Sequence, residues 1–220
     1  MSARAEIVAA IAKAIPSPVR NGHPLRVAID GIDAAGKTTL RGELAQVLRD
    51  QGQAVVEASI DDFHHPRAVR RKDGHTDWKG YWHHAFNLER LTSDLLVPLG
   101  PGGDLRFRPR CHDLATDQSL DDEPWQLAQG DEVVLVDGVL AQRPELRAYW
   151  DFVIFVSVGF DEAYRRMAAR DHVAADPTHP DNARYYGVQR YYLSTHRPDQ
   201  SADVVLDNST VEHPRIVRGA

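Results

Sequence analysis

Eight consecutive residues, Gly31-Ile32-Asp33-Ala34-Ala35-Gly36-Lys37-Thr38, carry the clearest chemistry in the chain. They fit the pattern G-x-x-x-x-G-K-[ST], in which the backbone curls so that successive N–H groups point inward at phosphate oxygens. Gly31 and Gly36 permit the curl, and Asp33, Ala34 and Ala35 form its tip. Lys37 would neutralise the β- and γ-phosphates of a nucleotide and the Thr38 hydroxyl would ligate Mg²⁺. Thr39 continues into a helix whose positive N-terminal end adds to the phosphate site.

Phosphoryl chemistry needs further groups, and each has a candidate. Asp137 follows the apolar run Val133 to Val136, where a carboxylate at the end of a buried strand supports the metal ion. Ser59-Ile60-Asp61-Asp62-Phe63-His64 closes another apolar run and places carboxylates at the sheet edge where open α/β folds bind ligands. Asp61 or Asp62 has the chemistry to accept a hydroxyl proton. Arg165, Arg166 and Arg170 share one helical pattern, and the spacing of Arg166 and Arg170 directs both guanidinium groups to the same side, over a phosphate. Eleven histidines include the pairs His64-His65 and His83-His84 and the lone His75. Neighbouring histidines point to different faces and no cysteine joins them at a zinc spacing, so they read as polar groups around an acceptor pocket. Within it His64 or His83 would hydrogen-bond a hydroxylated molecule, and Tyr81 or Trp82 would stack on a base.

These residues need a scaffold, and the order of elements supplies one. Short apolar runs at Leu25 to Asp30, Ala54 to Ser59, Val133 to Val136, Phe152 to Val158 and Val204 to Leu206 alternate with helical patterns. That alternation predicts an α/β fold with about five strands, mainly parallel, flanked by helices. Residues 1–18 read as an N-terminal amphipathic helix with Ile7, Val8, Ile11 and Ile15 on one face, stopped by Pro16-Ser17-Pro18. Leu88, Leu91, Leu95 and Leu96 mark a further helix closed by Pro98, and the polar stretch Arg106 to Glu123 reads as an irregular surface excursion or a short hairpin. Two charged helices across about 161–196, joined by Ala174 to Asn182, read as a helical lid, and the whole of 1–220 as one domain.

Composition narrows the function. The 220 residues carry 32 acidic and 26 basic side chains, a net charge of −6, with no run of Lys or Arg, which disfavours nucleic acid as a partner. No segment approaches the roughly 18 apolar residues of a membrane span. A single cysteine, Cys111, and the lack of a signal-peptide pattern make the cytoplasm the expected compartment, and a homo-oligomer stays open.

Several motifs in sequence resemble uridine kinase and its bacterial relatives in the phosphoribulokinase/uridine kinase group. They are the loop with Gly31-Ile32-Asp33, Ser59-x-Asp61-x-Phe63, Tyr81 ahead of the Leu88 helix, Val136-Asp137-Gly138, Arg166 to Asp171, Tyr191, and Ala202-Asp203-Val204 to Asn208. The resemblance covers about Leu25 to Asn208. It implies the P-loop kinase fold, ATP or GTP with Mg²⁺ as donor, a hydroxyl acceptor such as the 5′-OH of uridine or cytidine, Asp61 as catalytic aspartate and Asp137 as the metal-side acid. The chain departs from the family where the acceptor is chosen. His64 replaces a usual Tyr, Gly80-Tyr81-Trp82-His83-His84 replaces a Y-D-H-P-like stretch, and Phe107-Arg108-Pro109-Arg110-Cys111-His112-Asp113 replaces the Y-D-F and H-x-R element. Arg108, Arg110 and Asp113 are therefore substrate candidates, and arginines there favour an anionic acceptor such as a sugar phosphate. A sugar, sugar phosphate or pantothenate-like molecule is the alternative acceptor. A regulatory P-loop ATPase or switch would share the loop and Asp137, but neither an N-K-x-D guanine element nor a water-orienting Gln shortly after Asp137 is present.

Overall fold

A computed structural model describes residues 2–17 and 22–219. Helix α1 (Ala3–Ala14) starts at Ser2, whose hydroxyl accepts from the Ala5 N–H, and buries Val8, Ile11 and Ala12. The expected stop at Pro18 and the expected start at Met1 lie outside the described residues. Strand β1 (Leu25–Gly31) runs into the phosphate loop, α2 (Lys37–Asp50) leaves it, and β2 (Val55–Ser59) follows. After a 3-10 turn at Ile60–Phe63 come the short helices α3 (Arg67–Arg70), α4 (Trp78–His84) and α5 (Leu88–Leu91).

The helix expected through Leu96 continues from α5 as a π-turn, Thr92–Leu96. Thr92 explains the change of winding, because its hydroxyl donates to the Leu88 and Glu89 carbonyls and competes with the regular ladder. The polar excursion is more ordered than its sequence suggests. It holds two antiparallel ribbons, β3 (Arg106–Phe107) with β6 (Gln126–Leu127) and, nested between them, β4 (His112–Asp113) with β5 (Gln118–Ser119).

The main sheet is completed by β7 (Val133–Gly138), β8 (Phe152–Ser157), β9 (Val204–Asp207) and β10 (Arg215–Arg218). Its order is β10-β9-β8-β1-β7-β2, six strands rather than five, all parallel except β10. Strand β10 escaped the apolar-run criterion because it is an edge strand with only Ile216 and Val217 between arginines, a charged pattern that discourages further pairing. Alternate residues feed two cores: Ala28, Val134, Val136 and Phe155 on one face, and Val27, Ile29, Leu135 and Ile154 on the other. Burial on both faces is why these strands read as unbroken apolar runs. Helices α6 (Phe160–Asp171) and α7 (Ala183–His196), the pair expected at 161–196, flank the connection 172–182, and α8 (Pro198–Ser201) leads into β9. Among the described residues no helix is long and apolar enough to cross a membrane.

Candidate functional site

Parallel register brings the functional side chains to one edge. Asp30 of β1 lies beside Gly138 of β7, and Asp137 lies beside Ser59 of β2, so the phosphate loop, Asp137 and the turn carrying Asp61 emerge together. The loop needs its glycines for definite reasons. Gly36 sits at φ +97°, and a Cβ there would stand 2.6 Å from the Asn208 side-chain amide; a Cβ on Gly31 would stand 2.5 Å from the Val156 carbonyl. Asn208 donates to the Ala35 carbonyl at 2.7 Å and accepts from Arg4, so the end of β9 and helix α1 both brace the loop. Lys37, nearly buried, spans the loop and donates to the Ile32 carbonyl at 2.7 Å.

The two residues expected on the metal side, Thr38 and Asp137, are in contact. Thr38 donates its hydroxyl proton to Asp137, whose other carboxylate oxygen accepts from Arg41. Asp137 is 2% exposed, while Thr38 and Thr39 are exposed at the start of α2. A hydroxyl and a carboxylate are hard oxygen donors of the kind Mg²⁺ selects, so these residues fit the ion. Beneath the loop Asp30 is fully buried. It accepts from Tyr192, from Gln142 at 2.9 Å and from the Gly31 N–H at 2.8 Å. Burial raises its pKa, and these hydrogen bonds oppose the rise.

Beside the loop a cavity of about 340 Å³ opens between the turn after β2 and helices α4, α6 and α7. Asp33, Asp61, His64, Tyr81 and Arg170, all anticipated from sequence, line it. Asp61 sits within the concave wall, but its side chain is 57% exposed, so water tempers the upward push of burial on its pKa. Lys37 and Arg170 act in the opposite direction, and Asp137 reinforces the rise. Asp33 is likewise raised by burial, eased by Lys37 and by the Gln189 amide that donates to it at 2.6 Å. Asp62, next to Asp61, is pushed up to about 6 by burial and by the Asp61 carboxylate. His64 is pulled down to about 4 by burial; its Nδ1 lies 2.7 Å from the Asp61 carbonyl and its ring 4.4 Å from Phe86. The imidazole is therefore uncharged at neutral pH.

Other anticipated residues stand elsewhere. Arg166 does not join Arg170 on the cavity wall: it pairs with Glu162 at 2.7 Å and donates to the Asn208 and Ser209 carbonyls. One helical step aligns two arginines only loosely, because long side chains follow their nearest acceptors. Arg165 is an exposed partner of Glu162. Phe63 is fully buried in the core, and His83 is exposed away from the cavity lining. Arg108 packs 4.4 Å over Trp125, Arg110 pairs with Glu123 at 3.0 Å, and the Asp113 carboxylate accepts from Ala115 and Thr116 N–H groups. None of these three lines the cavity. Besides Arg170, its arginines come from segments that carry no motif: Arg70 and Arg71 around α3, and Arg184 on α7. Gln189 and Tyr192, which brace Asp33 and Asp30 from α7, were also missed; their spacing of three residues on one helix face is the signal that was available.

Neither a scan against protein-family models nor a search of curated proteins finds a match. Solved structures do match. A possible uridine kinase from Bacillus stearothermophilus is 27% identical, with a TM-score of 0.69, over 92% of this chain and 96% of that one. A protein proposed as a fructose transport system kinase, from Silicibacter sp. TM1040, is 22% identical, with a TM-score of 0.65, over 85% and 94%. D-glycerate 3-kinase from Cryptococcus neoformans var. grubii shares the fold at 12% identity and a TM-score of 0.56, over 86% and 87%. Fold and phosphate loop define a uridine kinase-like P-loop kinase architecture. The neighbours' names point to different acceptors.

Proposed function

We propose that the protein transfers the γ-phosphoryl group of ATP to a hydroxyl of a small molecule bound in the cavity beside Asp61. The observation that carries this reading is convergence on one carboxylate: Asp61 and Arg170 of α6 line the same cavity as Asp33 of the loop, and Asp137 emerges beside Ser59 at the same sheet edge. In the proposed step the acceptor O–H donates to Asp61, its oxygen forms a bond to the γ-phosphorus, the bond from that phosphorus to the β-γ bridging oxygen breaks, and ADP leaves. Lys37 and the loop N–H groups offset charge on the phosphates, and Arg170 does so from the cavity side. Thr38 and Asp137 would hold Mg²⁺, which when bound supplies further neutralisation of the triphosphate. Helices α6 and α7 with the connection 172–182 serve as a lid that brings Arg170 over the site when both ligands are present.

The sequence resemblance supports uridine or cytidine as acceptor and the Bacillus relative's name supports uridine, while the altered acceptor segments support a sugar, a sugar phosphate or a pantothenate-like molecule instead. The test is ADP formation from ATP and Mg²⁺ with and without nucleosides, sugars, sugar phosphates and hydroxy acids. A kinase shows turnover stimulated by one class of acceptor, whereas equal turnover with no acceptor would replace this reading by a regulatory ATPase.

A further inference from the structure

One wall of the cavity carries charge that the transfer step does not use. Arg184, in the first turn of α7, is 5% exposed, yet its guanidinium meets no carboxylate among the described residues. It donates to the Arg70 carbonyl and its Cζ lies 5.2 Å from the Tyr81 ring centroid, while its Nε has no hydrogen-bond partner. The charged neighbours that act on it, Arg70 and Arg71, have its own sign. Arg71, exposed on the same wall, contacts His75 at 3.2 Å and likewise forms no ion pair with a carboxylate among the described residues.

The other two cavity arginines are matched, Arg70 by Asp117 and Arg170 by Asp171. A buried cation without a counter-ion is costly, and one carbonyl and one aromatic face offset only part of that cost. An anion entering the cavity would complete the compensation, and a guanidinium fork is suited to a carboxylate or a phosphate. Neutral His64 adds no positive charge, so the attraction at this wall comes from the arginines.

Resting on the kinase reading, we propose that the acceptor is an anionic hydroxy compound, a hydroxy acid or a phosphorylated sugar, whose carboxylate or phosphate binds Arg184 and Arg71 while its hydroxyl faces Asp61. A neutral nucleoside offers Arg184 no counter-charge. A cavity of about 340 Å³ also matches a compact ligand of this kind, at the lower end of small-molecule sites.

Matched pairs that differ in the anionic group test the assignment: D-glycerate against glycerol for a carboxylate, and ribose 5-phosphate against ribose for a phosphate. Titration calorimetry on the full chain loaded with ADP and Mg²⁺ is expected to show one anionic member binding at least tenfold more tightly than its neutral partner, by about the margin of one charged hydrogen bond. Arg184→Gln should weaken that ligand roughly ten- to hundredfold with ADP affinity unchanged, and Arg184→Lys should recover part of the loss. Because Arg184 also holds the Arg70 carbonyl, Arg71→Gln, at an exposed position, gives an independent reading and should weaken the same ligand several-fold. Anionic members that bind no better than their neutral partners, uridine binding more tightly than either anion, or variants that weaken both members of a pair equally would each overturn the assignment. ATP turnover that needs no acceptor, alongside anion binding that still depends on Arg184, would instead remove the kinase reading and leave the anion site standing.

Discussion

The two halves of the site are built on different principles. On the nucleotide side, a contiguous loop is shaped by backbone geometry, with Gly36 at φ +97° against Asn208 and Lys37 returned onto the Ile32 carbonyl. On the proposed acceptor side, Asp61, Tyr81, Arg170 and Arg184 reach one cavity from four separated segments. In the proposed function the first half takes the nucleotide through backbone geometry, and the second takes the acceptor through side chains. The solved relatives fit this division, since they share the fold while their names point to different acceptors.

The sharpest way to break the nucleotide half alone is Lys37→Ala, which should lower the rate of transfer about a hundredfold or more and weaken ATP binding, read by steady-state kinetics. Gly36→Ala should cost roughly tenfold in nucleotide affinity by titration, because its Cβ would displace the Asn208 amide that holds Ala35. Tyr192→Phe addresses the join between the halves. It strips a hydrogen bond from buried Asp30 and should destabilise the fold by about 1–3 kcal/mol in thermal or denaturant unfolding.

A smaller effect reads the charge of Asp62, the neighbour of Asp61 outside the cavity lining. The Asp62 pKa is raised in the fold to about 6, so folding favours its protonated form, and stability is lost as pH rises through that value. Asp62→Asn should therefore match the wild type in melting temperature near pH 3 to 4 and gain on it progressively up to about pH 7. The exposed Arg165→Ala should shift stability by no more than about 0.5 kcal/mol, marking it as outside both halves.

The same contrast explains what the sequence made legible. The loop, Asp137 and the order of strands were readable because each depends on neighbours in the chain: a turn that needs glycine, a carboxylate after four buried residues, apolar runs sealed on both faces. Asp61 was readable for the same reason, at the end of β2. Arg184 and Arg71 were not, because nothing local distinguishes them from solvated residues, and only the packing of α7 and of α3 against α4 brings them to the cavity. Arg108, Arg110 and Arg166 show the converse. Their local sequence suggested substrate or phosphate contacts, but Trp125 and Glu123 engage the first two, and Glu162, one turn earlier on α6, engages Arg166.

The central claim is that Asp61 joins the two halves into a transfer site, and its most direct test compares wild type with Asp61→Asn for ADP formation in the presence of a stimulating acceptor, with ATP affinity measured in parallel. The account predicts acceptor-dependent turnover in the wild type, a loss of about 10² to 10⁴ in the variant, and nearly unchanged ATP binding; full activity in the variant would contradict it.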